Sequence, residues 1–293
     1  MRIAIVTCAA YPDLSPSDAL YRAALERLGA VVEIVPWNGE PLATRAALLQ
    51  ADAAVLRSPW DYPQQLPAFL RWLAACADIR LLNPPALVRW NADKRYLLDL
   101  AQAGVPIPPL GVLPADADAE DLRAALASLE TDLAVLKPVW GGSGRGVGLV
   151  SPKTLDEALR HTRREAPECP LIVQAFAPEI VETGEISLTF IGGAFAHAVR
   201  KRPADGDFRV NTRYAPRAPE RIAPSVRVRT GAEAVLRALP TDAPPLYARI
   251  DGLESSEGFL CLEAEVIDPA LFFPLAPESA DHMARATFAA IRH

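Results

Sequence analysis

Hydrophobic residues change their spacing along the first thirty positions of the chain, and each spacing predicts a different element. Residues 2–6 alternate little and are rich in β-branched side chains, which is typical of a strand buried on both faces. Ser15-Pro16 is a common helix start, apolar residues recur after it at helical spacing, and Gly29 follows as a stop signal. We therefore predict a strand and then a helix at the amino terminus.

The same succession of strand and helix continues to about residue 88. The further elements predicted there are strands at 31–35, 53–57 and 79–82 and a helix at 64–76. This alternation is typical of an open α/β domain with parallel strands. Such sheets bind ligands at the carboxyl ends of their strands, so the residues that end and follow the strand at 53–57 are candidates for substrate contact. They are Arg57, Ser58, Trp60 and Asp61, of which the aromatic Trp60 fits an ordinary core position equally well.

Prolines at 84 and 85 interrupt this pattern, and a region of mixed α+β character follows. The elements predicted there are strands at 110–113, 133–137, 147–150, 184–191, 194–200, 247–253 and 259–266 and helices at 92–103, 118–129, 154–165, 226–238 and 278–291. We predict an amino-terminal α/β domain at 1–88 and a second domain at 89–293. The second domain would have subdomains at about 107–173 and 174–293.

Composition narrows the classes of function. The chain has 293 residues and a formal net charge of -6, which argues against nucleic acid or an anionic membrane as its main partner. Its cysteines lie far apart and its histidines lack ligand spacing, which disfavours a zinc site or a disulfide framework. Apolar stretches are too short for a membrane span, and the first one is too short for a signal peptide. We expect a cytoplasmic protein.

A glycine-rich loop lies between the strands predicted at 133–137 and 147–150. It reads Gly141-Gly142-Ser143-Gly144-Arg145-Gly146 and comes shortly after Lys137. Glycine amides approach phosphate oxygens without obstruction from a Cβ atom, so the loop is a candidate phosphate site. A strand follows the loop, whereas a helix follows it in the P-loop and in the dinucleotide-binding motif. A plain hairpin is the alternative.

Acidic residues alternate along the last two predicted strands. Arg249 and Asp251 share one face of the first strand, and Glu263 and Glu265 share one face of the second. Converging carboxylates are costly unless a cation neutralises them, so Asp251, Glu263 and Glu265 are candidate ligands for Mg²⁺. The alternative is an exposed hairpin face with a single ion pair between arginine and glutamate.

In their order along 83–273, these motifs resemble the ATP-grasp superfamily, and most closely its glutathione-synthetase-like carboxylate ligases. The resemblance implies an ATP-grasp domain of two α+β subdomains that clasp ATP. The ATP contacts that it implies are Lys94, Lys137, Gly142, Ser143, Gly144, Gly146, Gln174, Ala175, Phe176, Ala177 and Glu185. In that family two lysines bind the phosphates of ATP. The backbone of a hinge, matched here by 174–177, recognises adenine. An acidic residue, matched here by Glu185, accepts hydrogen bonds from the ribose hydroxyls.

The resemblance also implies residues for the chemistry. The catalytic residues are Lys201, Arg209, Asn211 and Arg249, and the Mg²⁺ ligands are Asp251, Glu263 and Glu265. Glu265 stands where the family usually has asparagine, and Ser187 stands where glutathione synthetases have arginine. Residues 267–272 replace the substrate loop of D-alanine ligases, so neither substrate is carried over. Residues 60–62 and 269–272 are more similar to the O-ureido-serine cyclo-ligase sub-family.

The function implied is ligation driven by ATP. A small amino-acid-like carboxylate would be activated as an acylphosphate and then attacked by nitrogen, either within the same molecule or from a second substrate. A nucleotide-binding protein without catalysis is the alternative from another class, and relatives imply a homodimer. Lysine occurs only at positions 94, 137, 153 and 201. All but Lys153 match phosphate-contacting positions, where a compact ammonium and an arginine fork are not equivalent.

Overall fold

The computed structural model describes residues 1–211, 214 and 217–292, and it contains three sheets around one cleft. The first sheet consists of β1 (Arg2–Thr7), β2 (Val31–Pro36), β3 (Ala53–Ser58) and β4 (Leu81–Leu82). The strands are parallel in the order β2-β1-β3-β4. Their connections are the helices α1 (Pro16–Arg27), α2 (Pro41–Gln50) and α3 (Leu66–Ala75). The open parallel α/β fold predicted for this region is confirmed.

Local signals explain most of these elements. The Ser15 hydroxyl accepts a hydrogen bond from the Asp18 amide and caps α1. Helix α2 was not predicted, because it buries only Thr44 and Leu48 and therefore has no continuous apolar face. The Glu40 carboxylate caps it by accepting from the amides of the first helical turn.

The prediction of one helix at 92–103 is wrong in its first turn. The chain instead forms α4 (Pro85–Asn91) and α5 (Tyr96–Gln102), with a break between them. The Asp93 side chain accepts a hydrogen bond of 3.0 Å from the Arg95 amide, and such a turn competes with the helix. Lys94 consequently lies in a turn, where its amide donates to the carbonyl of Val139 at 3.1 Å.

The second sheet is antiparallel and lies in the middle of the chain. Its strands are β5 (Leu110–Leu113), β6 (Ala134–Pro138), β7 (Gly148–Val150) and β8 (Leu171–Ala175), in the order β5-β8-β6-β7. The helices α6 (Ala119–Ser128) and α7 (Leu155–Glu165) pack on it. Their buried leucines, such as Leu122 and Leu159, share a core with Leu136 and Leu171 of the sheet.

The third sheet is antiparallel and contains the acidic strands. Its strands are β9 (Glu185–Ile191), β10 (Ala194–Lys201), β11 (Glu220–Ile222), β12 (Tyr247–Ser255) and β13 (Gly258–Glu265). The helices of this part of the chain are α8 (Glu179–Glu182), α9 (Val226–Arg237) and α10 (Glu278–Arg292). The strand order is β11-β10-β9-β12-β13. Helix α9 packs on β12 and β13, while α10 packs on α1.

Buried contacts join the first sheet to the third. Asn83, with a φ of 67°, donates from its side chain to the carbonyls of Tyr247 and Val266, each at 2.8 Å. On the other side, Tyr21 of α1 and Met283 of α10 share one core. The division into domains at residue 88 and its subdomains stays a prediction. Within the described ranges, the structure has no helix with the length and apolar character of a membrane span.

Candidate active site

A cleft with a volume of about 1030 Å³ opens between the three sheets. Nearly all of the predicted site residues line it, although they are far apart in the chain. Those that do are Arg57, Trp60, Asp61, Lys94, Lys137, Gly142, Ser143, Gly144, Gln174, Ala175, Phe176, Ala177, Glu185, Lys201, Arg209, Asn211, Arg249, Glu263 and Glu265. The predicted residues that do not line the cleft are Ser58, Gly146 and Asp251.

The acidic residues of β12 and β13 form one cluster. Asp251 pairs in register with Glu263, and Arg249 with Glu265. Carboxylate oxygens of Asp251, Glu263 and Glu265 lie within 4.8 Å of one another. The alternative of an exposed face with one ion pair is wrong, because Arg249 and Asp251 are buried. A set of oxygen donors suits a hard divalent cation, so these residues fit Mg²⁺.

Arg249 neutralises part of the negative charge in this cluster. Its guanidinium donates to Asp251 at 2.7 Å and to Glu265 at 2.5 Å. Burial opposes ionisation of Asp251, but Arg249 and Lys201 lower the pKa of this carboxyl to about 2. Burial, together with the charges of Glu263 and Asp251, raises the pKa of Glu265 to about 8 in spite of Arg249. Arg249 therefore balances only part of the negative charge of the cluster, and the pKa of Glu265 remains raised.

Two of the three lysines in the cleft have carboxylate partners. Lys94 forms an ion pair with Glu263. Lys201 forms one with Glu185, which it faces across β9 and β10, and lies 3.6 Å from Asp251. Burial raises the pKa of Glu185, although Lys201 opposes the shift. The predicted ribose acceptor is thus held by a lysine in this structure.

Lys137 differs from the other two lysines because its hydrogen-bond acceptor is neutral. Its ammonium donates to the side-chain oxygen of Gln174 at 2.9 Å. Burial lowers the pKa of Lys137 to about 8, although the charge of Glu263 opposes the shift. Lys137 is therefore the cleft lysine that would gain most from an anionic ligand. The pairing with Gln174 was not anticipated, because the two residues lie on separate strands, β6 and β8, and only the pairing of those strands brings them together.

The glycine loop joins β6 to β7, as predicted. Ser143, Gly144 and Gly146 have φ angles of 54°, 70° and 67°, so the loop curls through the left-handed region. A Cβ atom at Gly144 would lie 3.0 Å from the side-chain oxygen of Asn211, on the segment that faces the loop. At Gly146 a Cβ atom would instead lie 3.3 Å from Glu165, outside the cleft. The contact of Gly146 with ATP stays a prediction, and the position of this glycine suits a role in the turn.

The hinge predicted at 174–177 lies at the end of β8 and lines the cleft. The amide of Ala175 donates to the carbonyl of Pro109 at 2.8 Å, and the amide of Phe176 donates to that of Leu133 at 3.0 Å. Because these two donors are used within the protein, recognition of adenine by this segment would depend on its other backbone atoms.

Arg209 and Asn211 lie on the segment opposite the glycine loop. The Arg209 guanidinium donates to both oxygens of Asp207 and lies 3.8 Å from the centre of the Tyr214 ring. These contacts hold Arg209 at the cleft. The structure therefore brings both predicted residues to the same cavity as Lys137 and Arg249.

Ser58 and Arg57, both predicted to contact substrate, make hydrogen bonds within the protein, and their contact with substrate stays a prediction. Ser58 is fully buried and donates to Asp18 at 2.7 Å. Arg57 is 1% exposed, donates to Asp18 at 2.8 Å and packs on the Tyr247 ring. A charged residue at the end of a buried strand needs a partner, and Asp18 of α1 supplies it. Trp60 and Asp61 both line the cleft, and Asp61 accepts hydrogen bonds of 2.7 Å from Trp37 and Asn38.

The loop that follows β13 is held by side chains from several elements. Successive carbonyls at 267–271 each face a different donor: Tyr247 at 2.8 Å, Trp60 at 3.4 Å, Arg57 at 2.7 Å, Arg249 at 3.1 Å and His197 at 2.9 Å. Burial lowers the pKa of His197, which suits a neutral ring that donates to this carbonyl. The loop is therefore fixed relative to both the first and the third sheet.

Two further residues lie at this end of the cleft, and Asp268 was not among the predicted site residues. Asp268 lines the cleft, and burial raises the pKa of its carboxyl to about 6, although Arg57 and Arg249 oppose the shift. Tyr62 also lines it, and burial together with the charges of Asp268 and Glu265 raises the pKa of its hydroxyl. The available signal was an Asp-Pro pair directly after a strand, at the edge where the acidic cluster lies.

Known proteins match this chain in both of its regions. One family model, the N-terminal domain of D-cycloserine synthetase DcsG, matches residues 3–83, and another, the ATP-grasp domain of prokaryotic glutathione synthetase, matches residues 115–230. The cycloserine biosynthesis protein DcsG of Streptomyces lavendulae is 32% identical over 80% of this chain and 82% of its own length. A glutathione synthetase of Parasynechococcus marenigrum is 29% identical over 67% of this chain and 62% of its own length.

Solved structures agree with these matches. The crystal structure of D-cycloserine synthetase DcsG has a TM-score of 0.87 at 28% identity and covers 99% of this chain and 100% of its own. The D-alanine–D-alanine ligase of Bacillus anthracis, at a TM-score of 0.71 and 18% identity over 100% of this chain and 96% of its own, shares the fold. The fold and the cleft define an enzyme that forms carbon–nitrogen bonds. The chain belongs to the ATP-grasp family of ligases, in the group that includes DcsG, which confirms the resemblance.

Proposed function

We propose that the protein uses ATP and Mg²⁺ to activate a carboxylate of a small amino-acid-like substrate and then closes a ring through nitrogen, in the manner of an O-ureido-serine cyclo-ligase. The observation that carries this proposal is the cluster of three carboxylates, two of which line the cleft, beside Lys94, Lys137, Lys201 and Arg249. Similarity to a D-cycloserine synthetase in both the amino-terminal and the ATP-grasp regions supports the ring-closing version.

The cations of the cleft are suited to hold a nucleotide triphosphate. Phosphoryl transfer needs positioning and neutralisation of charge more than covalent help from the protein. Lys137 has no carboxylate partner to give up, and residues of the glycine loop line the same cleft, where free backbone amides would bind phosphate. When phosphate binds, Lys94 and Lys201 would contact it either in place of their carboxylate partners or together with them.

The acidic cluster would hold the metal. Asp251, Glu263 and Glu265 supply carboxylate oxygens, and Mg²⁺ bound there would neutralise charge on the phosphates. Arg249 pairs with two of these residues and lines the cleft, so it is placed to contact the phosphoryl group during transfer.

The reaction follows two steps. An oxygen of the substrate carboxylate attacks the γ-phosphorus atom of ATP, the bond to ADP breaks, and an acylphosphate forms. The substrate nitrogen then attacks the acyl carbon, phosphate leaves with its electron pair, and the nitrogen loses a proton. Arg209 and Asn211, opposite the glycine loop, would stabilise negative charge on the acyl oxygen.

A ligase that joins two molecules is the second candidate, because residues 115–230 match the ATP-grasp domain of glutathione synthetase. The test is to incubate the protein, ATP and Mg²⁺ with O-ureido-D-serine, with and without an added amine, and to follow ADP and product mass. ADP release without amine, together with a product that has lost the elements of water, with or without its carbamoyl group, supports ring closure. Release that requires the amine supports joining of two substrates. ATP binding without ADP release across a panel of acids would indicate a nucleotide-binding protein.

A further inference from the structure

The Asp268 carboxylate stands alone at the end of the cleft built by the amino-terminal sheet. It lines the cavity, and within the described ranges its side chain takes part in no hydrogen bond or ion pair. The neighbouring charged residues have partners of their own, although the Nη1 atom of Arg57 is buried without a hydrogen-bond partner. Arg57 pairs with Asp18, and Asp61 accepts from Trp37 and Asn38. An unpaired acid at this end selects for a positive group on whatever molecule binds there.

Hydrogen bonds fix the backbone of the loop that carries this carboxylate. Its own carbonyl faces the Trp60 indole at 3.4 Å, and the next carbonyl, of Pro269, accepts from Arg57 at 2.7 Å. Tyr247 donates to the carbonyl before it at 2.8 Å. A group on a fixed backbone loses little conformational entropy when a ligand binds. Its position is therefore preorganised for the ligand.

Asp268 is separate from the acidic cluster that suits the metal. The carboxylates within ligand distance of one another are Asp251, Glu263 and Glu265, and Asp268 is not among them. Trp60, Pro269 and Phe272 line the same cavity, and the charges of Arg57, Arg249 and Lys94 act on the Asp268 carboxyl. A single carboxylate outside the cluster fits a compact organic cation more closely than a metal ion, which takes several oxygen ligands.

We propose that Asp268 binds the ammonium group of an α-amino acid substrate and thereby decides which acids the enzyme accepts. This inference rests on the proposed function, since the amino acid is the molecule whose carboxylate is activated. A charge-assisted hydrogen bond from the ammonium to Asp268 would orient the substrate with its carboxylate toward Arg249 and the glycine loop.

The test compares two acids that differ only in the amino group: O-ureido-D-serine and 3-(ureidooxy)propanoic acid. ADP release gives kcat and KM for each acid with the unaltered protein, Asp268→Asn and Asp268→Glu. We expect the unaltered protein to prefer the amino acid by at least about 100-fold in kcat/KM, mainly through KM. Asp268→Asn should lose most of this preference while the KM for ATP stays within about twofold. Asp268→Glu, which keeps the negative charge, should retain part of the preference for the amino acid.

Asp13→Asn is the matched control, because it removes one negative charge from an exposed residue outside the cleft and should keep the full preference. Equal use of both acids by the unaltered protein overturns the inference, and this comparison needs no variant to fold. The inference is also overturned if Asp268→Asn keeps the preference for the amino acid, or if this variant loses kcat equally with both acids. Either result leaves the proposed function unaffected. Absence of ADP release with either acid would instead reject the proposed function, and this inference with it.

Discussion

Lys137 donates a hydrogen bond of 2.9 Å to the side chain of Gln174, so a half-buried ammonium faces a neutral group while its two neighbours in the cleft face carboxylates. A buried charge without a counter-ion is unfavourable unless a ligand supplies one. This relationship distinguishes Lys137 among the lysines and leads to the first two predictions.

Replacement of Lys137 by alanine should reduce ATP turnover by at least about 100-fold, because it removes a positive charge from the site of phosphoryl transfer. The measurement is ADP release at saturating ATP and Mg²⁺. Lys153→Ala is the matched control in this lysine-poor chain, since Lys153 is exposed and lies outside the cleft. Near-normal turnover by a correctly folded Lys137→Ala protein would remove Lys137 from the proposed machinery.

Binding of ATP without metal should weaken as pH rises above 8. A lysine in an unfolded chain titrates near about 10.4, but burial lowers the pKa of Lys137 to about 8, so above that pH the ligand-free protein is mostly neutral at this position. Phosphate favours the protonated form, and binding must then take up a proton. The dissociation constant should therefore rise by up to about tenfold for each pH unit between 8 and 10.

Calorimetry or equilibrium dialysis in the presence of a chelator measures this dependence. Lys137→Gln carries no titrating group, and its binding curve should be flatter over the same range. An equally steep curve for Lys137→Gln would assign the pH dependence to another group.

Glu265→Gln should weaken Mg²⁺ binding by at least about tenfold, because the position loses a charged oxygen ligand within the cluster. The measurement is the Mg²⁺ concentration required for half-maximal ADP release. Glu257→Gln on the exposed turn of the same hairpin is the control, and it should leave the requirement unchanged. If Glu265→Gln needs the same Mg²⁺ concentration as the unaltered protein, Glu265 is not a metal ligand and serves in its ion pair with Arg249.

Arg57→Ala should lower the free energy of unfolding by about 3–5 kcal/mol, because it leaves the Asp18 carboxylate buried without its cation. Urea unfolding measures the loss. The double variant Asp18→Ala with Arg57→Ala should be less unstable than the sum of the two single variants. For comparison, Arg22→Ala breaks an exposed ion pair with Glu26 and should cost no more than about 1 kcal/mol. A cost near that of Arg22→Ala would contradict the structural role assigned to Arg57.

Much of the third sheet could be predicted because it depends on local periodicity. The alternation of Arg249 with Asp251 and of Glu263 with Glu265 places each pair on one face of a strand, and antiparallel pairing then brings the two pairs together. The glycine loop is predictable for a similar reason, since its positive φ angles follow from its own residues. Lys94 was placed correctly at the cleft, although the turn that carries it was taken for helix.

The partners of Arg57 could not be predicted in this way. Its position at the end of a strand is consistent with substrate contact, and only the packing of α1 against the first sheet brings Asp18 to its guanidinium. Asp268 is a similar case. Its loop has no periodicity, and the donors that hold it come from residues as far away as Arg57 and Trp60.

The sequence by itself determined the order of the strands and helices, the ATP-grasp resemblance and the face on which each charged residue of a strand lies, because these depend on spacing over a few residues. The tertiary structure decided which charges are paired and which are left for a ligand. That difference has a physical reason: a charge in the cleft is satisfied or unsatisfied according to which side chains from distant elements pack beside it, as Gln174 does for Lys137.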